Sequence, residues 1–128
     1  QYPTSEFAKN AGGIVNELEL KLEKKEFRNA KLYFKLRKYE AAIVTLENFI
    51  KEFPGSSFQE EAFFLTIQTA HDYAQASILS VQNKRFESCI DKYQTFVDKY
   101  PNSNFLKEAE KYYVNSTDFL SKFALRNN

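Results

Sequence analysis

Residues 39–62 read YEAAIVTLENFIKEFPGSSFQEEA, and residues 86–109 read FESCIDKYQTFVDKYPNSNFLKEA. The two stretches align without a gap at an offset of 47, with eight of 24 positions identical. Residue frequencies alone give about one or two identities. Conservative apolar pairs fill in the rest: Tyr39/Phe86, Ala42/Cys89, Ile50/Val97 and Phe53/Tyr100. Upstream, Ala30, Leu32 and Lys38 stand opposite Ser77, Leu79 and Arg85 at the same offset. Such self-similarity marks a repeat architecture.

Each copy states its own local structure. Tyr39, Ala42, Ile43, Leu46, Phe49, Ile50 and Phe53 recur at spacings of three and four, which is one face of a helix and excludes a strand. Phe86, Cys89, Ile90, Tyr93, Phe96, Val97 and Tyr100 repeat the stripe. Pro54 and Pro101 end these helices, because proline lacks an N–H and clashes with the preceding turn. Ser56 or Ser57, and Ser103 or Asn104, are placed to cap the helix that follows. Glu60, Glu61, Glu108 and Glu110 then read as acids near a helix N-terminus. Ala42 and Cys89 are small residues on the apolar face, where two backbones approach.

Working outward, the pattern predicts five helices, over 5–36, 39–53, 57–82, 86–100 and 104–124, with a turn at Asn83-Lys84. Short and long antiparallel helices then alternate in an all-α, tetratricopeptide-like solenoid. A third, partial copy opens the chain: Tyr2-Pro3-Thr4-Ser5-Glu6-Phe7 and Ala11 match Phe53 to Phe58 and Ala62 at an offset of 51. Gly12-Gly13 predicts a bend or break in the first helix, at about 1 kcal/mol per glycine. The expected organisation is one repeat domain over 1–128, with a partial repeat at 1–36, a repeat at 30–62 and another at 77–124. The helix that should precede Pro3 is missing from the copy, and the chain opens on Gln1. Both features predict the C-terminal half of a longer protein.

Composition narrows the function classes. Thirteen Phe and eight Tyr, with no Trp or Met, supply rings for wide seams between helices. Eighteen basic and seventeen acidic residues leave a net charge of +1 without a basic stripe, so no nucleic-acid partner is expected. No apolar run reaches the 18 residues of a membrane span. Cys89 is the one cysteine, and its place in the repeat is that of Ala42, so it reads as a packed core thiol. His71 is the one histidine. Asp72 adjoins it, but successive helical residues diverge by about 100°, so the pair is not read as catalytic. Metal ligands at close spacing and a glycine-rich phosphate loop are both missing. The sequence therefore predicts no enzyme, no cofactor and no metal. Phe63, Phe64, Tyr73, Tyr33, Phe34, Tyr112 and Tyr113 are expected to fill seams. Phe119 and Phe123, on a last helix with no repeat after it, serve either as partner anchors or as the terminal cap.

The pattern A-x-x-x-F-x-x-(F/Y)-P-x-S-x-(F/Y)-x-x-E-A resembles the tetratricopeptide-like repeats of periplasmic helper proteins. Leu22 to Phe34, followed by Tyr39-Glu40-Ala41-Ala42-Ile43, resembles the start of a repeat in the second half of the BamD family. So does Phe96 to Ala109. The insert around His71 to Asn83 suits the Bacteroidota form of that family. The resemblance implies a lipoprotein at the periplasmic face of the outer membrane, part of the β-barrel assembly machinery. Its partners would be the periplasmic domains of a BamA-like barrel protein and other subunits of the machinery. The membrane would be reached only through an N-terminal lipid anchor outside this chain. Thr45 stands where proteobacterial members carry an arginine that supports the BamA contact. The polar face around it, with Arg37, Lys38, Asn48, Lys51 and Glu52, becomes the expected partner surface, together with Phe119 and Phe123. A periplasmic repeat adaptor that coordinates cell-wall enzymes is the alternative function.

Overall fold

A computed structural model describes residues 4–126, with side chains from Asn16 onward. Five helices follow one another: α1 (Thr4–Lys35), α2 (Tyr39–Glu52), α3 (Gln59–Gln75), α4 (Leu79–Lys99) and α5 (Leu106–Arg126). Among the described residues there is no strand. Each helix packs on the next, and α3 also reaches α5. The connections are too short for anything but antiparallel neighbours. This is the all-α repeat fold that the two aligned stretches predict. The helix α1 runs through Gly12-Gly13 without a break. The Tyr2-Pro3 turn of the partial copy, and the side chains of Phe7 and Ala11, lie outside the described residues.

Two four-ring clusters carry the architecture. Phe49 packs on Phe27 of α1 with ring centroids 5.4 Å apart, and Phe58 stacks on the same ring at 5.0 Å. Phe49 also meets Phe53 at 5.3 Å. One repeat later, Phe96 packs on Phe64 of α3 at 6.4 Å, Phe105 stacks on Phe64 at 4.8 Å, and Phe96 meets Tyr100 at 5.6 Å. The helix stripe and the phenylalanine after each proline therefore close on a ring of the preceding helix. Burying each Phe contributes about 1.5–3 kcal/mol, and each ring pair adds about 0.5–1.5 kcal/mol. Ala42 and Cys89 are both fully buried, as small residues at a close approach must be.

The proline turns agree bond for bond. Phe53 and Tyr100 donate their N–H to Phe49 and Phe96, Ser56 and Ser103 to Phe53 and Tyr100, and Ala62 and Ala109 to Phe58 and Phe105. Ser56 Oγ accepts from the N–H of Phe58, and Ser103 Oγ from that of Phe105, each at 3.0 Å. The cap expectation is corrected here: Phe58 is the N-cap of α3 and has no side-chain cap bond, and the Ser56 and Ser103 bonds instead close the turns ahead of the helices.

One boundary departs from the sequence reading. The helix α3 ends at Gln75, not near 82, and α4 starts at Leu79, so Asn83-Lys84 lies inside a helix and the turn is Ala76-Ser77-Ile78. Short and long helices accordingly do not alternate: α4 has 21 residues, as many as α5 and more than the 17 of α3. The turn contains neither glycine nor proline. Side chains from α4 satisfy the backbone there instead. Gln82 Nε2 donates to the carbonyls of Ala74 and Gln75 at 3.1 and 3.3 Å. Ser77 Oγ bonds the carbonyl of Tyr73 and accepts from Arg85.

Candidate partner-binding face

The turn between α1 and α2 closes with three bonds: Leu36 N–H to Leu32, Arg37 N–H to Phe34, and Lys38 N–H to Tyr33. The last two form the helix-ending motif whose penultimate residue adopts left-handed backbone, a place usually held by glycine. Here Arg37 holds it, with φ 60, the one positive-φ non-glycine residue among those described. The turn thus projects Arg37 and Lys38, both exposed, beside the start of α2.

Arg37, Lys38 and Thr45 line one groove of about 620 Å³, together with Tyr33, Val44 and Tyr73. Three rings bind its walls together: Phe34 meets Tyr39 at 5.9 Å, and Tyr39 meets Tyr73 of α3 at 6.2 Å. Val44 is 52% exposed, although its neighbours Ile43 and Leu46 turn inward. Asn48, Lys51 and Glu52 are exposed further along α2 but do not line this groove. The expected surface therefore divides into a concave end at 37–45 and an open helix face at 48–52.

The α5 aromatics lie elsewhere. Phe119 packs on the buried Phe86 of α4 at 4.4 Å and stacks with Phe123 at 6.4 Å. These contacts hold the two rings at the α4–α5 seam, away from the groove at Arg37 and Lys38.

His71 is buried and bonded on both nitrogens. Nδ1 lies 2.9 Å from Asp72 Oδ1, and Nε2 receives the Asn115 amide from α5. This corrects the expectation that the adjacent carboxylate points away. A divergence of about 100° on a cylinder of about 2.3 Å Cα radius is bridged by two side chains that bend toward each other. Gln68 donates to the Tyr112 hydroxyl at 3.0 Å beside it, and the His71 and Tyr112 rings are 4.8 Å apart. These groups form a polar joint between α3 and α5. Burial pushes the Tyr112 hydroxyl pKa above its ordinary value. Burial likewise raises the Cys89 thiol, which contacts the Ile67 carbonyl at 3.6 Å. A thiol held neutral is a poor nucleophile. Among the described residues no His, Cys, Asp and Glu gather as a metal site. No described helix is long and apolar enough to cross a membrane.

Sequence reasoning missed the residues that join the helices: Gln59, Gln68, Gln82, Arg85 and Asn115. Only Arg85 left a signal. It is the repeat counterpart of Lys38, just as Lys84 is of Arg37, so each copy opens on a basic pair.

Two tandem helix pairs with matching turns and ring clusters define a tetratricopeptide-like repeat protein. The family model for YfiO, outer membrane lipoprotein, matches residues 1–68 and, in a second register, 29–125. The chain belongs to this BamD-like family of outer membrane lipoproteins. Residues 29–68 fall in both matches, as happens when one stretch fits two successive repeats. No curated protein gives a significant match to the chain.

Proposed function

We propose that this chain is a non-catalytic, protein-binding scaffold of the outer-membrane β-barrel assembly machinery. In this reading, the α1–α2 turn and the polar face of α2 contact the periplasmic domains of a BamA-like barrel protein. The observation that carries it is Arg37, an arginine at a left-handed position that glycine fits with less strain, projecting beside Lys38 over an open groove. Family membership supports the outer-membrane setting. A frame locked by ring clusters supports the mechanism, since side chains already held in place lose little entropy on binding. The setting that follows is the periplasmic face of the outer membrane, reached through a lipid anchor elsewhere in the protein. We propose further that the chain is one half of a longer solenoid. Leu18 and Leu22 of α1 are 61% and 48% exposed, apolar surface that another helix pair would cover.

The test is retention of purified BamA periplasmic domains by immobilised chain. Arg37→Glu, Lys38→Glu and Thr45→Glu together are expected to reduce retention at least about tenfold, as reversal of an interface charge cluster does. Far-UV circular dichroism is expected to stay unchanged. Undiminished retention would remove this face from the contact.

A further inference from the structure

Three hollows line one path. The groove at Arg37 and Lys38 shares Glu40, Val44 and Tyr73 with a second hollow, which reaches Arg85 and Lys92 of α4. That second hollow shares Lys92 with a third, bounded by Glu47, Asp91 and Thr95. Together they make a furrow between α2 and α4, with Ala70 and Tyr73 of α3 on its floor. On α2 the lining runs from Glu40 to Ile50, ten residue steps or about 15 Å. An extended chain of about five residues covers that length at about 3.3 Å each.

The charge along the furrow is uneven. Arg37, Lys38, Arg85 and Lys92 line the first two hollows with the single carboxylate of Glu40, whereas the third adds Glu47 and Asp91 beside Lys92, so the excess of positive charge lies in the first two. The chain as a whole carries only +1. The ion pairs of the described residues are Lys21–Glu17, Lys31–Glu61 and the His71–Asp72 contact, so none of these four cations is neutralised by a carboxylate. The Arg85 guanidinium lies over the Tyr73 ring, 4.0 Å from its centroid, and is hydrogen-bonded to Ser77, which fixes it at the furrow wall. Between the cations lies apolar surface: Val44, Ile43 and the Tyr73 ring.

We propose that this furrow binds an extended segment of a partner protein in which carboxylate side chains alternate with large apolar ones. The alternation follows from strand geometry. Successive side chains of an extended chain point to opposite sides, so apolar ones settle on Val44 and Tyr73 while carboxylates meet the basic rim. The proposal rests on the reading of α2 as a protein-docking face and names the chemistry that the docking face accepts.

A fluorescein-labelled pentapeptide of aspartate alternating with leucine provides the probe, read by anisotropy with the full chain. Saturable binding with a Kd under about 1 mM is expected. It should weaken as salt rises from about 0.05 to about 0.5 M, because the rim charges are screened. The same peptide with lysine in place of aspartate should not bind. Lys38→Glu with Lys92→Glu is expected to weaken binding by about tenfold or more, and Glu40→Gln to strengthen it. Equal binding of both peptides, no saturation, or an unaltered Kd in the double variant would each overturn the proposal. Retention of BamA domains separates the two readings. Domains retained without peptide binding defeat the furrow alone. Peptide binding without domain retention defeats the named partner and leaves the furrow standing.

Discussion

At residue 37 the backbone sits at φ 60, the left-handed well in which Cβ crowds the following carbonyl. Arg37→Gly removes that crowding and supplies the residue such turns favour. Glycine also loses more freedom on folding, so the gain is modest, about 0.5–1 kcal/mol. The expected result is a higher urea midpoint with an unchanged slope, together with weaker retention of the partner domains. Stability rising while binding falls is the mark of a side chain kept for contact. A lower midpoint would show that the Arg37 side chain supports the fold, and the case for this turn as a contact would fail. Cys89 presents the opposite case. Its counterpart is Ala42, both are sealed in, and the thiol behaves as a slightly larger alanine at a close helix crossing.

Between elements, the two proline turns share a backbone but not a clamp. Gln59 is buried, and its Nε2 donates to the carbonyls of Ile50 and Phe53 at 3.0 and 2.7 Å, tying the start of α3 to the end of α2. Leu106 holds the same place in the second copy. Gln59→Leu therefore imports the second copy's residue and strands the Ile50 carbonyl at a helix end, while the Phe53 carbonyl keeps the Ser56 N–H. The expected cost is about 1–3 kcal/mol in urea unfolding, where a merely apolar site would accept the leucine freely. No loss would show that water serves the Ile50 carbonyl equally well. This contrast also marks how far the sequence reaches. The period of three and four and the prolines announce α2, the turn after it and their copies, since apolar spacing and a missing N–H act locally. The end of α3 is not announced, because Ala76-Ser77-Ile78 contains no residue that forbids a helix. There Gln82, from the next helix, bonds the Ala74 and Gln75 carbonyls at the end of α3, and Arg85 holds the Ser77 hydroxyl of the turn. The binding face divides in the same way. Arg37, Lys38 and Thr45 are legible on their own element, whereas Arg85 and Lys92 join them only once α4 is laid beside α2.

At the scale of the whole molecule, the described residues form two cores, and Leu65 packs against both. Phe27, Leu46, Phe49 and Phe53 centre the first; Phe64, Ile67, Cys89 and Phe96 centre the second. A solenoid gains its cooperativity from contacts between neighbouring units, so a residue shared by two cores couples their unfolding. Leu65→Ala and Ile67→Ala distinguish coupling from bulk. Ile67 is fully buried within the second core alone. Each substitution is expected to cost about 2 kcal/mol or more. Only Leu65→Ala should also flatten the urea transition, since the cores then begin to open separately and the single-step slope falls. The furrow gives this a functional reading. Its rim draws Arg37 and Tyr33 from the first repeat and Arg85 and Lys92 from the second, so its width is set by how firmly the two cores are joined. Leu65 lines none of the three hollows, yet its loss should weaken acidic-peptide binding, while Ile67→Ala should alter it less. Identical slopes and identical peptide affinities in the two variants would show that the cores are held together by the helix backbones and not by the shared leucine.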